Sequence, residues 1–85
     1  MTPAEALQDI RGFAAAGRIR IEPHARQRMK ERGARFSDVE HALVNAARCA
    51  LQENGRWRVD GRDLDGDDIT LVVVIEAGVV VVTLF

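Results

Sequence analysis

An apolar segment close to the C-terminus constrains the fold more than any other feature of the sequence. Residues 69–85 read ITLVVVIEAGVVVVTLF, a mostly apolar run of 17 residues, close to the length of the shortest membrane-spanning helix. Glu76 and Gly78 interrupt this run, and valine and isoleucine, which favour strands, dominate it. The run therefore predicts two buried strands that are joined by a turn at Ala77-Gly78.

Two stronger turn signals precede this run. Asn54-Gly55 and Asp65-Gly66 are typical of two-residue hairpin turns, so we expect Gly55 and Gly66 to hold positive φ. Three two-residue turns predict a four-stranded antiparallel meander with strands near 47–53, 56–64, 67–76 and 79–85. The predicted pairs are Arg58 with Leu51 and Val73, Trp57 with Gln52 and Val74, Val59 with Val72, Val72 with Thr83, and Val74 with Val81.

The N-terminal half predicts three helices and one short strand. Capping boxes and helix-stopping glycines mark the ends of the helices, and alternation of charged and apolar residues marks the strand. The predicted elements are a helix from the box Thr2/Glu5 to Gly17, a strand at 18–22, a helix from Pro23 to Gly33, and a helix starting at the box Ser37/Glu40. The fold class is α+β, with the helices packed on a mostly antiparallel sheet.

The predicted register makes both faces of the sheet apolar near the last two strands. The helices can cover one of these faces. The other is then either a surface for a partner or a second copy of the chain, or it is covered by the first helix. The candidate partner-interface residues are Trp57, Val80, Val82 and Leu84.

Length and composition bound the class of protein. The 85 residues form a single domain, 1–85, with a small core. A net charge of −1 excludes a polycation built for bulk nucleic-acid binding. The one cysteine, Cys49, excludes a disulfide framework and fits a reducing compartment, and the N-terminus lacks the pattern of a signal peptide. We therefore expect a cytoplasmic protein that does not associate with membranes.

Positive charge is concentrated in one segment. Residues 18–35 hold seven basic side chains against two acidic ones. Within this segment, His24, Arg28 and Arg32 follow at i, i+4 and i+8, which places them on one face of the second helix. Stacked like charges do not stabilise a helix, whereas arginine can bind phosphate bidentately and histidine can move the proton of a 2′-hydroxyl. These three residues are the candidate catalytic group, and a plain solvated helix face is the alternative.

Other combinations of chemically active residues predict no metal or cofactor site. The run Asp63, Asp65, Asp67 and Asp68 lacks the glycine position and the distal glutamate of a calcium loop, and a hairpin turn explains it. The spacing of His24, His41 and Cys49 matches no zinc motif.

The segment HARQRMKERGARFSDVEHALVNA, residues 24–46, resembles the HA-x-x-RM-x-ERG motif of a family of small bacterial domains of unknown function. The strand region of residues 55–85 is similar to the same family, so the resemblance covers nearly the whole chain. This family is grouped with the RelE/MqsR-like toxins, which are small α+β proteins that cleave mRNA without a metal and are neutralised by an antitoxin. The motif carries over onto His24, Arg28, Met29, Arg32 and Gly33.

The resemblance implies a toxin of a type II toxin-antitoxin system with endoribonuclease activity, an RNA substrate and an antitoxin as partner. Further phosphate contacts would come from Arg26, Arg35, Arg58 and Arg62. The chain departs from such toxins in having no tyrosine, a residue that they often use near the C-terminal strands. A non-catalytic module that binds a partner protein or forms a homodimer through the apolar sheet face is therefore the alternative function.

Overall fold

The computed structural model describes all 85 residues as three α-helices, five strands and one short 3-10 turn. The helices are α1 (Pro3–Ala15), α2 (Pro23–Arg32) and α3 (Phe36–Val44). The strands are β1 (Ile19–Ile21), β2 (Arg48–Leu51), β3 (Trp57–Arg62), β4 (Asp68–Ile75) and β5 (Val79–Leu84), and the 3-10 turn is Glu53–Gly55. This is the α+β arrangement of helices on a mostly antiparallel sheet that the sequence predicts.

The sheet has the strand order β1-β5-β4-β3-β2. β2 to β5 form the predicted antiparallel meander, and the short strand β1 pairs in parallel with β5 at its edge. The apolar run of residues 69–85 supplies most of β4 and all of β5. No helix in the structure combines the length and the apolar character needed to cross a membrane.

The first two helices begin and end where the sequence predicts. At the start of α1, the Thr2 hydroxyl accepts from the Glu5 N–H at 3.2 Å, and the Glu5 carboxylate accepts from the Thr2 N–H at 2.8 Å. These bonds to Thr2 hold the pKa of Glu5 below its ordinary value. At the end of α2, Gly33 adopts a left-handed backbone conformation with φ of 76°. Glycine adopts it readily because it has no Cβ atom.

The start of α3 differs from the prediction. The helix begins at Phe36, so Ser37 lies inside its first turn, and the capping box predicted at Ser37 is wrong. The capping carboxylate is that of Asp38 and not that of Glu40, because it accepts a hydrogen bond from the backbone N–H of Arg35 at 2.9 Å. Its second oxygen accepts from the N–H of Leu64 at 3.0 Å and so ties α3 to the loop between β3 and β4.

The three hairpin loops each contain three residues, where two were predicted. They are Glu53–Gly55, Leu64–Gly66 and Glu76–Gly78, as the flanking pairs and backbone bonds show. Gly55 and Gly66 hold φ of 72° and 86°, which confirms the expected positive φ at both positions. A three-residue loop that ends on a left-handed glycine is the second most common way to close a hairpin.

The extra loop residue shifts the strand register by one. Trp57 pairs with Leu51 and Val73, one position away from the predicted partners. Successive side chains of a strand point to opposite faces of the sheet. A register shift of one residue therefore places a side chain beside different neighbours, which belong to the opposite face from those predicted. A β-bulge between Val72 and Val73 restores the predicted pair of Val72 with Thr83. The other corrected pairs are Arg58 with Ala50 and Val72, Val59 with Leu71, and Val74 with Val80.

All three helices pack on one face of the sheet. Buried residues of each helix share one core cluster with the strand residues that alternate toward them. On α1 these are Ala6, Ile10 and Ala14, so the first helix does not cover the second face. The strand residues of this core include Trp57, Val59, Leu71, Val73, Val81 and Leu84.

The opposite face of the sheet, which we call the open face, has no helix over it. Trp57 and Leu84 do not belong to it, since they are 6% and 1% exposed in the helix-side core, and their assignment to a partner interface is wrong. The one-residue register shift explains the error for Trp57. Val80 lies on the open face, and Val82 occupies the β-bulge outside the core cluster.

A glycine on β3 allows α3 to approach the sheet closely. A Cβ atom on Gly61 would lie 2.6 Å from the carbonyl oxygen of Ala42 on α3, which is closer than side-chain atoms pack. The neighbouring atoms are the backbone O and C and the Cβ of Ala42, none of which can rotate away. Gly61 therefore sets the distance between α3 and β3, and with it the position of His41, the residue before Ala42.

We expect Gly61→Ala to lower the free energy of unfolding by about 1–3 kcal/mol, because the added methyl group must push α3 away from the sheet. Gly12→Ala is the matched control. It adds the same methyl group inside α1 with no atom within 4 Å, and should raise stability by roughly 0.5–1 kcal/mol through helix propensity. Urea denaturation measures both changes. Equal effects at the two positions would contradict the role of Gly61.

Candidate functional site

The candidate catalytic residues lie on the exposed side of α2. His24, Arg28 and Arg32 are all exposed, whereas Ala25 is fully buried and Met29 packs against the core. Neither Arg28 nor Arg32 has a carboxylate within ion-pair distance. The structure thus does not make these residues a clamp between helices, and it leaves their positive charge unneutralised by acidic side chains.

Arg32 joins the last turn of α2 to the sheet. Its Nη2 donates to the backbone carbonyl oxygen of Asp68 at the start of β4. Arg28 and Arg32 also line a shallow depression of about 210 Å³ together with Glu31, Leu84 and Phe85. The basic side of α2 therefore borders the end of β5 and continues onto the sheet.

Phe85 is a residue of this region that the sequence argument did not single out. Its ring is 52% exposed, and the guanidinium carbon of Arg58 lies 5.9 Å from the ring centroid. An exposed aromatic ring beside arginines can stack on a nucleic-acid base while the arginines contact phosphates. Phe85 was hidden from sequence analysis because its neighbours come from β3 and α2, far away along the chain.

The other predicted phosphate contacts are dispersed. Arg26 lies about 200° around α2 from His24, at 100° per residue, so it belongs to a different side of the helix. Arg35 is exposed at the start of α3. Arg58 reaches Phe85, and Arg62 lies 3.6 Å from the Asp68 carboxylate. The structure therefore brings together Arg28, Arg32 and Arg58 around Phe85, and it separates Arg26 from them.

Asp60 is the centre of a polar network on β3. Its carboxylate accepts from Arg48 Nε at 2.9 Å and from the Thr70 hydroxyl at 3.4 Å, and Arg58 Nε lies 3.7 Å away. The hydrogen bond from Arg48 is the main reason why the pKa of Asp60 lies below its ordinary value. The same bond raises the pKa of Arg48, so this pair stays ionised.

Neither metal ligation nor thiol chemistry finds support in the side-chain geometry. No three side chains of histidine, cysteine, aspartate or glutamate lie together as metal ligands would. The Asp63 carboxylate accepts from the N–H groups of Asp65 and Asp67 at 2.9 Å each, so it closes a turn. The Cys49 thiol donates to the Pro3 carbonyl at 3.2 Å, and burial raises its pKa, which disfavours the nucleophilic thiolate.

Comparison of the chain with protein-family models, with curated proteins and with solved structures found no match. The likeness of residues 24–46 to the RelE/MqsR-like toxins therefore stays a prediction.

We expect Arg48→Ala to raise the pKa of Asp60 toward the ordinary value of an aspartate, about 3.9, because the main hydrogen bond to the carboxylate is lost. A carboxyl group with a depressed folded pKa stabilises the fold above its unfolded pKa. This contribution disappears as the pH falls from about 4 through the folded pKa. NMR titration of the Asp60 carboxyl carbon, with urea unfolding at several acidic pH values, measures both effects.

Arg56→Ala is the control for this experiment, since Arg56 is exposed in the loop before β3 and forms no ion pair. It should leave the Asp60 titration and the acid dependence of stability unchanged. An Asp60 pKa that is identical in the wild type and in Arg48→Ala would show that Arg48 does not hold the carboxylate in solution.

Proposed function

We propose that the protein is a toxin-like domain of a type II toxin-antitoxin system that works in the cytoplasm and cleaves RNA without a metal ion. The observation that carries this proposal is the exposed side of α2, where His24, Arg28 and Arg32 are exposed and neither arginine is paired with a carboxylate. An exposed aromatic ring, Phe85, lies next to two of these residues. Together these groups offer a proton acceptor, hydrogen-bond donors for a phosphate group, and an aromatic surface on which a base can stack.

The proposed reaction uses the RNA itself as nucleophile. His24 takes the proton of a 2′-hydroxyl, whose oxygen attacks the adjacent phosphorus, and the bond from phosphorus to the 5′-oxygen breaks. The departing 5′-oxygen takes a proton from water, and the hydroxide so formed takes back the proton held by His24, which leaves a 2′,3′-cyclic phosphate and a 5′-hydroxyl. Arg28 and Arg32 donate to the non-bridging oxygens, where negative charge develops. Phe85 stacks on a neighbouring base and positions the strand.

We expect His24→Ala to abolish RNA cleavage while the domain stays folded, because the ring is exposed and no core contact is lost. Arg28→Ala and Arg32→Ala should each weaken RNA binding by roughly tenfold through a lost charge-assisted contact. Added salt should weaken the binding of the wild type more steeply than that of either variant. Cleavage of a labelled oligoribonucleotide and circular dichroism of each variant measure activity and folding separately.

Lys30→Ala is the matched control, since Lys30 is a cation of the same helix that lies about 200° around the axis from Arg28. It should leave cleavage and binding unchanged. Full cleavage by a purified His24→Ala variant would remove His24 from the mechanism. RNA binding that drops equally in Lys30→Ala would show only a general effect of net charge.

The alternative function, a protein-binding module, is favoured by a different observation. The open face carries Val74 and Val82, which are half-buried, and the strand arginines Arg20 and Arg58, and no helix of the core cluster covers it. An apolar strip that is framed by arginines is typical of a surface that meets another protein. An antitoxin or a second copy of the chain would fit it.

We expect the wild type to form a homodimer through the open face if this alternative holds. Val82→Lys should then yield a monomer, because Val82 is half-buried outside the core and a charge there would be desolvated in the dimer. Leu64→Lys is the control, as Leu64 is 57% exposed on the loop between β3 and β4. Sedimentation equilibrium measures the mass of each protein. A wild-type monomer at high concentration contradicts the homodimer.

A further inference from the structure

A polar cleft lies at the edge of the sheet, where the C-terminal part of α3 meets β2 and β3. It encloses about 700 Å³. Four of its lining residues have side chains that can donate hydrogen bonds. Asp60 is the single acidic lining residue, and Ala47 is the single apolar one. The side-chain donors are His41, Asn45, Arg48 and Arg62. This α3–β3 cleft is distinct from the depression beside α2, which shares no lining residue with it.

Each arginine of the cleft has one carboxylate next to its Nε, but only that of Arg48 forms a hydrogen bond. Arg48 Nε donates to the Asp60 carboxylate at 2.9 Å, and Arg62 Nε lies 3.6 Å from the Asp68 carboxylate. The terminal Nη groups of both side chains form no hydrogen bond with the protein. The Arg48 guanidinium is thus oriented through its Nε, and the outer nitrogens of both arginines stay available. Two such donors match the oxygens of a phosphate group.

The charge of the cleft favours an anion. Asp60 is the one acidic lining residue, and its carboxylate is compensated by Arg48 at 2.9 Å and by Arg58 at 3.7 Å. Arg62 adds a further positive charge with Asp68 at 3.6 Å from it, so that three arginines face two aspartates in and around the cleft. The aspartate therefore orients a guanidinium without cancelling the positive charge of the cleft as a whole.

His41 supplies a third donor from α3. The Asn45 side-chain nitrogen lies 3.4 Å from Nδ1 of His41 and also donates to the His41 carbonyl oxygen at 3.1 Å. His41 Nε2 has no hydrogen-bond partner in the protein, so this ring nitrogen can donate to an anion in a cleft that already holds two guanidinium groups.

The fold brings these groups together through two specific contacts. Arg48 and Asp60 are directly paired across β2 and β3, which fixes one wall of the cleft. Gly61 lets α3 approach so closely that a Cβ atom would lie 2.6 Å from Ala42 O, and this approach places His41 beside the end of β3. Residues from α3, β2 and β3 therefore converge on one volume.

We propose that the α3–β3 cleft binds a phosphate group through Arg48, Arg62 and His41. Recognition centres on the phosphate and not on a base, because Ala47 is the single apolar lining residue and no Phe, Tyr or Trp side chain lines the cleft. Free phosphate, a mononucleotide and an RNA backbone share this chemistry, and titration with each of them identifies the source. The proposal does not depend on RNA cleavage at α2.

NMR titration of the full chain with inorganic phosphate tests the proposal. We expect saturable shifts at the His41 ring and at the Nε–H groups of Arg48 and Arg62, with no comparable shift at the Nε–H group of Arg56. Arg62→Ala should weaken binding by about tenfold or more, as expected for the loss of a charge-assisted contact. Arg48→Lys keeps the positive charge next to Asp60 but removes the paired N–H donors of the guanidinium group, so it should also weaken binding. Arg56→Ala should bind like the wild type.

Parallel titrations with adenosine 5′-monophosphate and with a short single-stranded RNA separate the sources. Tighter binding of the mononucleotide than of RNA assigns the cleft to a small phosphorylated ligand, and the reverse order assigns it to a nucleic-acid backbone. His24→Ala should leave all three titrations of the cleft unchanged, so failure of the proposed cleavage is distinguishable from failure of this site. Absence of shifts with every ligand, or equal shifts in Arg62→Ala, overturns the proposal.

Discussion

The hydrogen bonds that close the hairpin loops set the register of the whole sheet. Gln52 N–H donates to Arg56 O at 2.8 Å, and Asp63 N–H donates to Asp67 O at 2.9 Å, so three residues remain in each loop. This register directs Trp57 toward the helices with the other core residues, and directs Arg58 and Asp60 to the open face. Because the side-chain period of a strand is two, a two-residue loop at either place would exchange these roles.

Packing of three short helices on one face has a consequence for the surface. Small residues at the contacts, such as Ala6, Ala25 and Ala42, let the helices lie close to the sheet and to each other. The long cationic side chains of α2 then stay at the surface, where Arg32 reaches the Asp68 carbonyl and Arg28 borders Phe85. Close packing at Gly61 also brings α3 next to β3, and His41 and Arg62 line the α3–β3 cleft there.

Local sequence signals were enough to predict the helices and strands. The side chains that meet at the candidate sites are determined by long-range contacts, which the sequence does not display. Rules that act within a few residues predict the cap of α1 at Thr2, the end of α2 at Gly33 and the positive φ of Gly66. The register did not follow, because a glycine after an asparagine or aspartate fits both two-residue and three-residue loops. His41 and Arg62 are 21 positions apart in the sequence and meet only because α3 packs on β3, so no motif could reveal the cleft.

The nearly neutral charge of the chain conceals how its acidic groups are used. Glu5 and Asp38 accept backbone N–H groups at helix starts, and Asp63 accepts two more within a hairpin loop. These carboxylates stabilise local structure and are not engaged with arginines. Arg28 and Arg32 therefore lack carboxylate partners although acidic residues outnumber basic ones by 13 to 12. A net charge near zero is thus compatible with local anion-binding surfaces, because the position of each charge, and not the sum, determines what a phosphate meets.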